Sequence, residues 1–253
     1  MATTPALGAG TRVGCAGWSL PRQHAHLFGD GDSTLARYAT RFDLVEVNSS
    51  FYRPHQRRTW ERWAAETPAR FRFTAKLPQE ISHERALRGC VKCIDRFLAE
   101  VGGLGDKLAC LLLQLPRSRP LELRVAKNFF VHLRKRHDGA LAVEPRHASW
   151  FTEEADALLH EFEVGRVAAD PALSEAAAMP GGDASIRYWR WHGSPRMYYS
   201  DYSEASLRAL AAQVRAPAPR GAQRLVIFDN TAHAFATANA ARLQELLAAA
   251  RKR

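Results

Sequence analysis

Short apolar runs recur along the chain, and between them lie stretches whose apolar positions return every three to four residues. The runs RVGCAGW (12–18), FDLVEVN (42–48), RFRFTAK (70–76), LACLLLQL (108–115), GALAVEP (139–145), VGRVAAD (164–170), IRYWRWHG (186–193) and RLVIFDN (224–230) have strand length. The stretches between them read as helices. STLARYATRF begins at a capping Ser, and RTWERWAAE sets Trp60, Trp63 and Ala64 on one helical face. KCIDRFLAEVGGLG stops at glycines, and TEEADALLHEFE begins with a Thr cap and acids that suit a helix N-terminus. SEASLRALAAQV and TANAARLQELLAAARKR follow, the last predicted as a helix near 236–251. Strand and helix alternation over 253 residues predicts a single α/β domain spanning 1–253, with residues 1–10 flexible. The expected fold is a (β/α)8 TIM barrel with an eight-stranded, all-parallel sheet. A doubly wound open sheet is the alternative, although no G-x-G-x-x-G or Walker loop follows any strand.

Side chains of a strand alternate between its two faces. Glu46 and Asn48 share a face with Leu44, opposite Val45 and Val47. Thr74 and Lys76 oppose Phe73 and Ala75. Leu112 and Gln114 oppose Leu111 and Leu113. Glu144 and Arg146 share the face of Ala142, and Arg190 and His192 share that of Tyr188. Each strand has one apolar face for helices and a second face that turns polar toward its C-terminal end. In a barrel those polar ends meet at the mouth, where such folds keep their active sites. The competing reading is a structural plug, with pairs such as Glu46–Lys76 or Glu144–Arg190 satisfying each other.

Charge and composition narrow the partners. The formal net charge is +10 and the isoelectric point about 9.9, which favours an anionic partner; a generally Arg-rich chain explains the same balance. The start MATTPALGAG lacks the pattern of a secretory signal, and no apolar run is long enough to span a bilayer, so a reducing cytoplasm and no membrane partner are expected. Cys90 and Cys93 form one C-x-x-C without a second pair or a His pair, and read as small apolar residues at a helix start.

Seven stretches, GCAGWS (14–19), VEVNSSFYR (45–53), RFRFTAKLPQEISHERAL (70–87), LLLQLP (111–116), AVEPRHASW (142–150), RWHGSP with YYSDYS (190–203) and VIFDNTAHAFATANAARL (226–243), together resemble the YecE-like family, domain of unknown function 72. The resemblance covers nearly the whole chain and implies a TIM barrel, but supplies no reaction. The first loop departs from the family pattern, with His24 and His26 where aromatic residues are more usual. Asp229 stands in FDNT where the family often has Asn.

Carried over residue by residue, the resemblance and the strand faces give one candidate site. Its candidate catalytic residues are Glu46, Glu144, His192 and His83. Its candidate substrate contacts are Trp18, Asn48, Phe51, Tyr52, Lys76, Gln114, Arg146, His147, Trp150, Asp170, Arg190 and Asn230. Glu46, Glu144, Asp170 and His192 are ligand types for a divalent metal, but Lys76, Arg146 and Arg190 in the same mouth oppose one, and a metal is expected less than not. Arg and Lys suit a phosphate, and the aromatic residues suit a sugar or base. The reading that follows is an enzyme acting on a phosphorylated or nucleotide-like anionic small molecule by acid–base or hydrolytic chemistry, with Lys76 and Arg190 as the anion clamp. The alternatives are a nucleic-acid-binding protein without catalysis, and a scaffold whose mouth is a plug.

Overall fold

The structure is a computed structural model that describes Leu7 and residues 10–249. The expectation for residues 1–10 therefore falls mostly outside the described residues, as do positions 250 and 251 of the expected last helix. Ten strands form one sheet: β1 (Thr11–Ala16), β2 (Leu44–Val47), β3 (Arg72–Lys76), β4 (Leu108–Gln114), β5 (Leu141–Glu144), β6 (Val164–Arg166), β7 (Ala168–Asp170), β8 (Gly181–Gly182), β9 (Ile186–Trp191) and β10 (Gln223–Phe228). The α-helices are α1 (Thr34–Arg41), α2 (Arg57–Ala65), α3 (Val91–Val101), α4 (Leu123–Arg134), α5 (Glu153–Glu161), α6 (Glu204–Arg215) and α7 (Phe235–Ala249).

The sheet order is β7-β9-β10-β1-β2-β3-β4-β5-β6-β8. Neighbours are parallel except β6 and β8, which are antiparallel. The chain itself bridges the two sides of the sheet. Between β6, paired with β5, and β7, paired with β9, lies Val167 alone, and its N–H donates to Val143 O at 2.8 Å. The result is a nearly closed barrel.

This corrects the expected eight-stranded, all-parallel TIM barrel. The sheet has ten strands and is mixed, and seven α-helices are found among the described residues. The run VGRVAAD is not one strand, because β6 and β7 serve different neighbours. The segment after β7 makes no α-helix; it forms a short turn at Ala176–Ala178 and then β8. Arg166 explains that local choice. Its guanidinium reaches Asp156 at 3.1 Å and the Ala176 carbonyl at 3.0 Å. Gly181 lies so close that a Cβ there would come within 2.2 Å of Arg166 Nη2. Helix α4 has no counterpart among the expected helices, yet Ala126, Phe129, Phe130 and Leu133 give it one buried face at helical spacing.

Strand alternation builds two cores. Val13, Val45, Val47, Phe73, Leu111, Leu113, Val143 and Trp189 point outward against helix residues such as Tyr38, Trp60, Phe130 and Leu243. Leu44, Cys110, Leu112, Ala142, Tyr188, Leu225 and Ile227 point inward and fill the barrel. Toward the C-terminal strand ends the inward positions become polar. No helix among the described residues is long and apolar enough to cross a membrane.

Candidate functional site

Directly above the inner apolar layer lies a buried ion cluster. Glu46 at the end of β2 takes Arg190 Nε at 3.0 Å and Nη2 at 2.7 Å, and accepts the Tyr188 hydroxyl at 2.8 Å. Thr74 on β3 lies 3.0 Å from the same hydroxyl. Arg190 Nη1 donates to Glu144 Oε2 at 3.2 Å, and Nη2 lies 2.9 Å from Asp229 Oδ2. His192 stands between two carboxylates, with Nδ1 3.1 Å from Asp229 and Nε2 3.0 Å from Glu144. Arg146 closes on Glu144 with Nε at 2.6 Å, and its Nη2 lies 2.8 Å from His192 Nε2. Glu46, Glu144 and His192 have no exposed surface, and Arg190 is 1% exposed.

Glu144, Asp229 and Arg190 are each held ionised by their neighbours. Burial alone would raise the Glu144 carboxyl, but Arg146, His192 and Arg190 outweigh it and hold it well below the usual range. Asp229 is also held low: burial opposes ionisation, while Arg190 and His192 favour it. Burial would lower the Arg190 guanidinium, yet Glu46, Asp229 and Glu144 push it well above its ordinary value.

Lys76, at the end of β3, is different. It is 4% exposed, and its Nζ sits 3.9 Å over the Phe51 ring. No described residue gives that Nζ a hydrogen bond or an ion pair. Burial and the Arg190 charge push its pKa down to about 8, against the weaker pull of Glu46, Glu144 and Asp229. It lacks an ion-pair partner because Arg190, Arg146 and His192 already occupy the three carboxylates. His83 packs edge-on against the same Phe51 ring, centroids 5.0 Å apart, with Nδ1 2.8 Å from Ser82 Oγ. Burial, Lys76 and Arg119 all lower His83. Asn48, half-buried just after β2, has a buried Oδ1 that accepts from no described residue.

A family model described as "Protein of unknown function DUF72" matches residues 12–253. The chain belongs to this family. The YecE protein of Escherichia coli K12 is 33% identical over 171 residues, which is 65% of this chain and 61% of that protein. The chain thus aligns with about three-fifths of that relative's length. YunF of Bacillus subtilis is 27% identical over 155 residues, covering 55% of this chain and 52% of that one. A DUF72 family crystal structure from Enterococcus faecalis superposes with a TM-score of 0.78 at 21% identity, covering 94% of this chain and 95% of that one. One from Thermotoga maritima gives 0.76 at 23%, covering 94% and 98%. At that identity the two structures speak to the fold alone.

Within this DUF72 chain the structure gathers Glu46, Lys76, Glu144, Arg146, Arg190 and His192 at one end of the barrel, with Asn48 and Phe51 beside them. Gln114 ends β4 in register with Glu144. The other candidates have local work. His147 Nδ1 lies 2.9 Å from Ser149 Oγ in a turn, and the Trp150 indole donates to the Arg119 carbonyl at 3.2 Å. Asp170 accepts the Tyr202 hydroxyl at 2.7 Å. Asn230 donates to Ser200 O and to Asn239 Oδ1 under a loop. Trp18 packs edge-on against Trp63, and Tyr52 is 67% exposed beside a surface cleft with Glu80, Glu84 and Arg96. Arg190 faces three carboxylates instead of open space, so its geometry is that of an ion-pair anchor.

The sequence-derived list omits four participants. Tyr188 and Thr74 share the inward faces of β9 and β3. Asp229 continues the inward parity of Leu225 and Ile227, a signal that was available. Arg119, half-buried in the loop after β4, has a buried Nε without a described acceptor; nothing in its sequence context marks it. Among the described residues no group of three or more His, Cys, Asp or Glu side chains is arranged to hold a metal ion.

Proposed function

We propose that this chain is an enzyme acting at the barrel mouth on a phosphorylated or nucleotide-like small molecule by acid–base or hydrolytic chemistry, with Lys76 in contact with the substrate. One observation carries the reading: Lys76 is a buried cation at a strand end with no described partner, in a cluster whose other members are paired. An unpaired buried charge is costly to keep, which is understandable where a ligand completes it. A lysine poised near pH 8 exchanges protons at working pH, and His83, packed on the same Phe51 ring, is a second titratable group that feels its charge. Asn48 Oδ1 offers an acceptor for a substrate hydroxyl or amino group. The deep cluster of Glu46, Glu144, Asp229, Arg190 and His192 then fixes the electrostatics beneath the substrate.

The test is a titration of a nucleoside monophosphate and a short oligonucleotide against the parent and Lys76→Met, at two salt concentrations. Loss of a charge-assisted contact should weaken nucleoside monophosphate binding by about 10- to 150-fold. Unchanged binding would overturn the reading. The +10 charge favours a second reading, binding of nucleic acid on the outer surface. That binder would prefer the oligonucleotide, lose affinity steeply with salt, and not notice the loss of Lys76.

A further inference from the structure

We propose that Lys76 is a covalent catalyst whose Nζ forms an imine with an aldehyde or ketone, so that the anionic substrate of the preceding reading, on which this inference rests, is a carbonyl compound.

The geometry meets the requirements of an amine nucleophile. A lysine locked against a carboxylate keeps its proton and its lone pair stays occupied. Lys76 escapes that lock because every carboxylate near it is engaged elsewhere: Glu46 by Arg190 and Tyr188, Glu144 by Arg190 and Arg146, Asp229 by Arg190 and His192. Desolvation together with a nearby fixed cation is a recognised way to free a lysine amine. Both are present, since Lys76 is 4% exposed and Arg190 is tied in place by Glu46. At neutral pH the unprotonated fraction of a lysine with pKa about 8 exceeds that of one at 10.5 by more than about a hundredfold. Lys76 ends strand β3, and its amine rests 3.9 Å over the Phe51 ring.

The step balances without an oxidant or reductant. The Nζ lone pair forms a bond to the carbonyl carbon, and the carbonyl oxygen takes a proton from solvent to give a carbinolamine. The nitrogen then loses a proton, the C–O bond breaks with a second protonation, and one water leaves as C=N forms. The protonated imine is an electron sink for loss of a proton or carbon group at the adjacent carbon.

The experiment uses the full chain with glycolaldehyde phosphate and with glyoxylate, each with cyanoborohydride, followed by mass mapping of the adducts. Expected is a reduced adduct concentrated on Lys76, at least tenfold over Lys92, Lys107 and Lys127. Its rate should rise with pH through about 8, and it should be absent from Lys76→Arg, which keeps the charge but forms no imine. Adducts spread evenly over the lysines would overturn the proposal. A parallel titration with a nucleoside monophosphate separates the two ideas. Binding by the parent without a Lys76 adduct overturns the imine and leaves the mouth reading standing. Neither binding nor adduct removes both.

Discussion

Replacing Arg190 by Ala would leave Glu46, Glu144 and Asp229 buried without the guanidinium that all three share. Breaking a buried ion pair by removing one partner costs about 3–5 kcal/mol, so urea denaturation of Arg190→Ala should show a loss of at least that size or no folded protein. A variant with parental stability would refute the anchor role. Lys76 should behave in the opposite way. Its pKa falls from 10.5 unfolded to about 8 folded, so between those values the unfolded chain binds more protons and stability rises with pH. Below pH 8 the folded protein carries the whole penalty, on the order of 3 kcal/mol. Lys76→Met should therefore be more stable than the parent at pH 7. The gain should shrink to nothing as pH climbs past 10.5. Equal stability at pH 7 would mean that Lys76 is better solvated than its burial indicates. A residue that weakens the fold at working pH fits the trade-off between stability and activity on which the proposed role of Lys76 rests.

At the level of elements, the seam between β6 and β9 sets a packing limit. A Cβ at Gly165 would lie 2.1 Å from Ile186 Cγ2 and 2.9 Å from the Ile186 carbonyl oxygen. Gly165→Ala should destabilise by about 1–3 kcal/mol through overpacking. Combining it with Ile186→Ala removes the side-chain clash but not the backbone one, so denaturation of the double variant should recover part of the loss. Additive losses would show that the two residues do not meet. Local patterns made most elements legible. The Ser33 cap of α1 and the Thr152 cap of α5 both accept the expected backbone N–H, from Ala36 at 3.0 Å and Ala155 at 3.3 Å. Elements defined by long-range contacts were not legible. Val167 interrupts no apolar pattern, so the division of VGRVAAD depends on which strands lie beside it. Gly181 and Gly182 have no strand propensity, and their pairing follows from space beside Arg166. Helix α4 lacks a cap bonded by a side chain at its start, Glu122, which removes the usual signal.

Across the molecule, alternation in the strands made the inward set of Glu46, Lys76, Glu144, Arg190 and His192 readable from sequence. Their pairings were not, because long side chains choose partners according to barrel width and strand stagger. Glu46 and Lys76 looked like a pair on neighbouring strands, yet Arg190 from across the barrel takes Glu46 and leaves Lys76 alone. The same cluster governs acid stability. Glu144 and Asp229 are depressed in the folded state, so their contribution is fully present above the unfolded carboxyl range near 4.5 and is lost as pH falls through their folded values. Thermal melts should therefore show little change from these groups between pH 6 and 5 and a progressive decline below 4.5. A decline beginning at pH 6 would point to a different titrating group. The lone ammonium on Phe51 also has a calorimetric consequence. An anion without a reactive carbonyl, such as a nucleoside monophosphate, stabilises the charged form of Lys76 when it docks beside it, so its binding must draw a proton from the buffer. The uptake grows as pH rises toward 8, where about half of the lysines start out neutral, and is small at pH 6. Measured heats of binding should then differ between HEPES and Tris by an amount that tracks the ionisation enthalpies of the two buffers, and the difference should vanish in Lys76→Met.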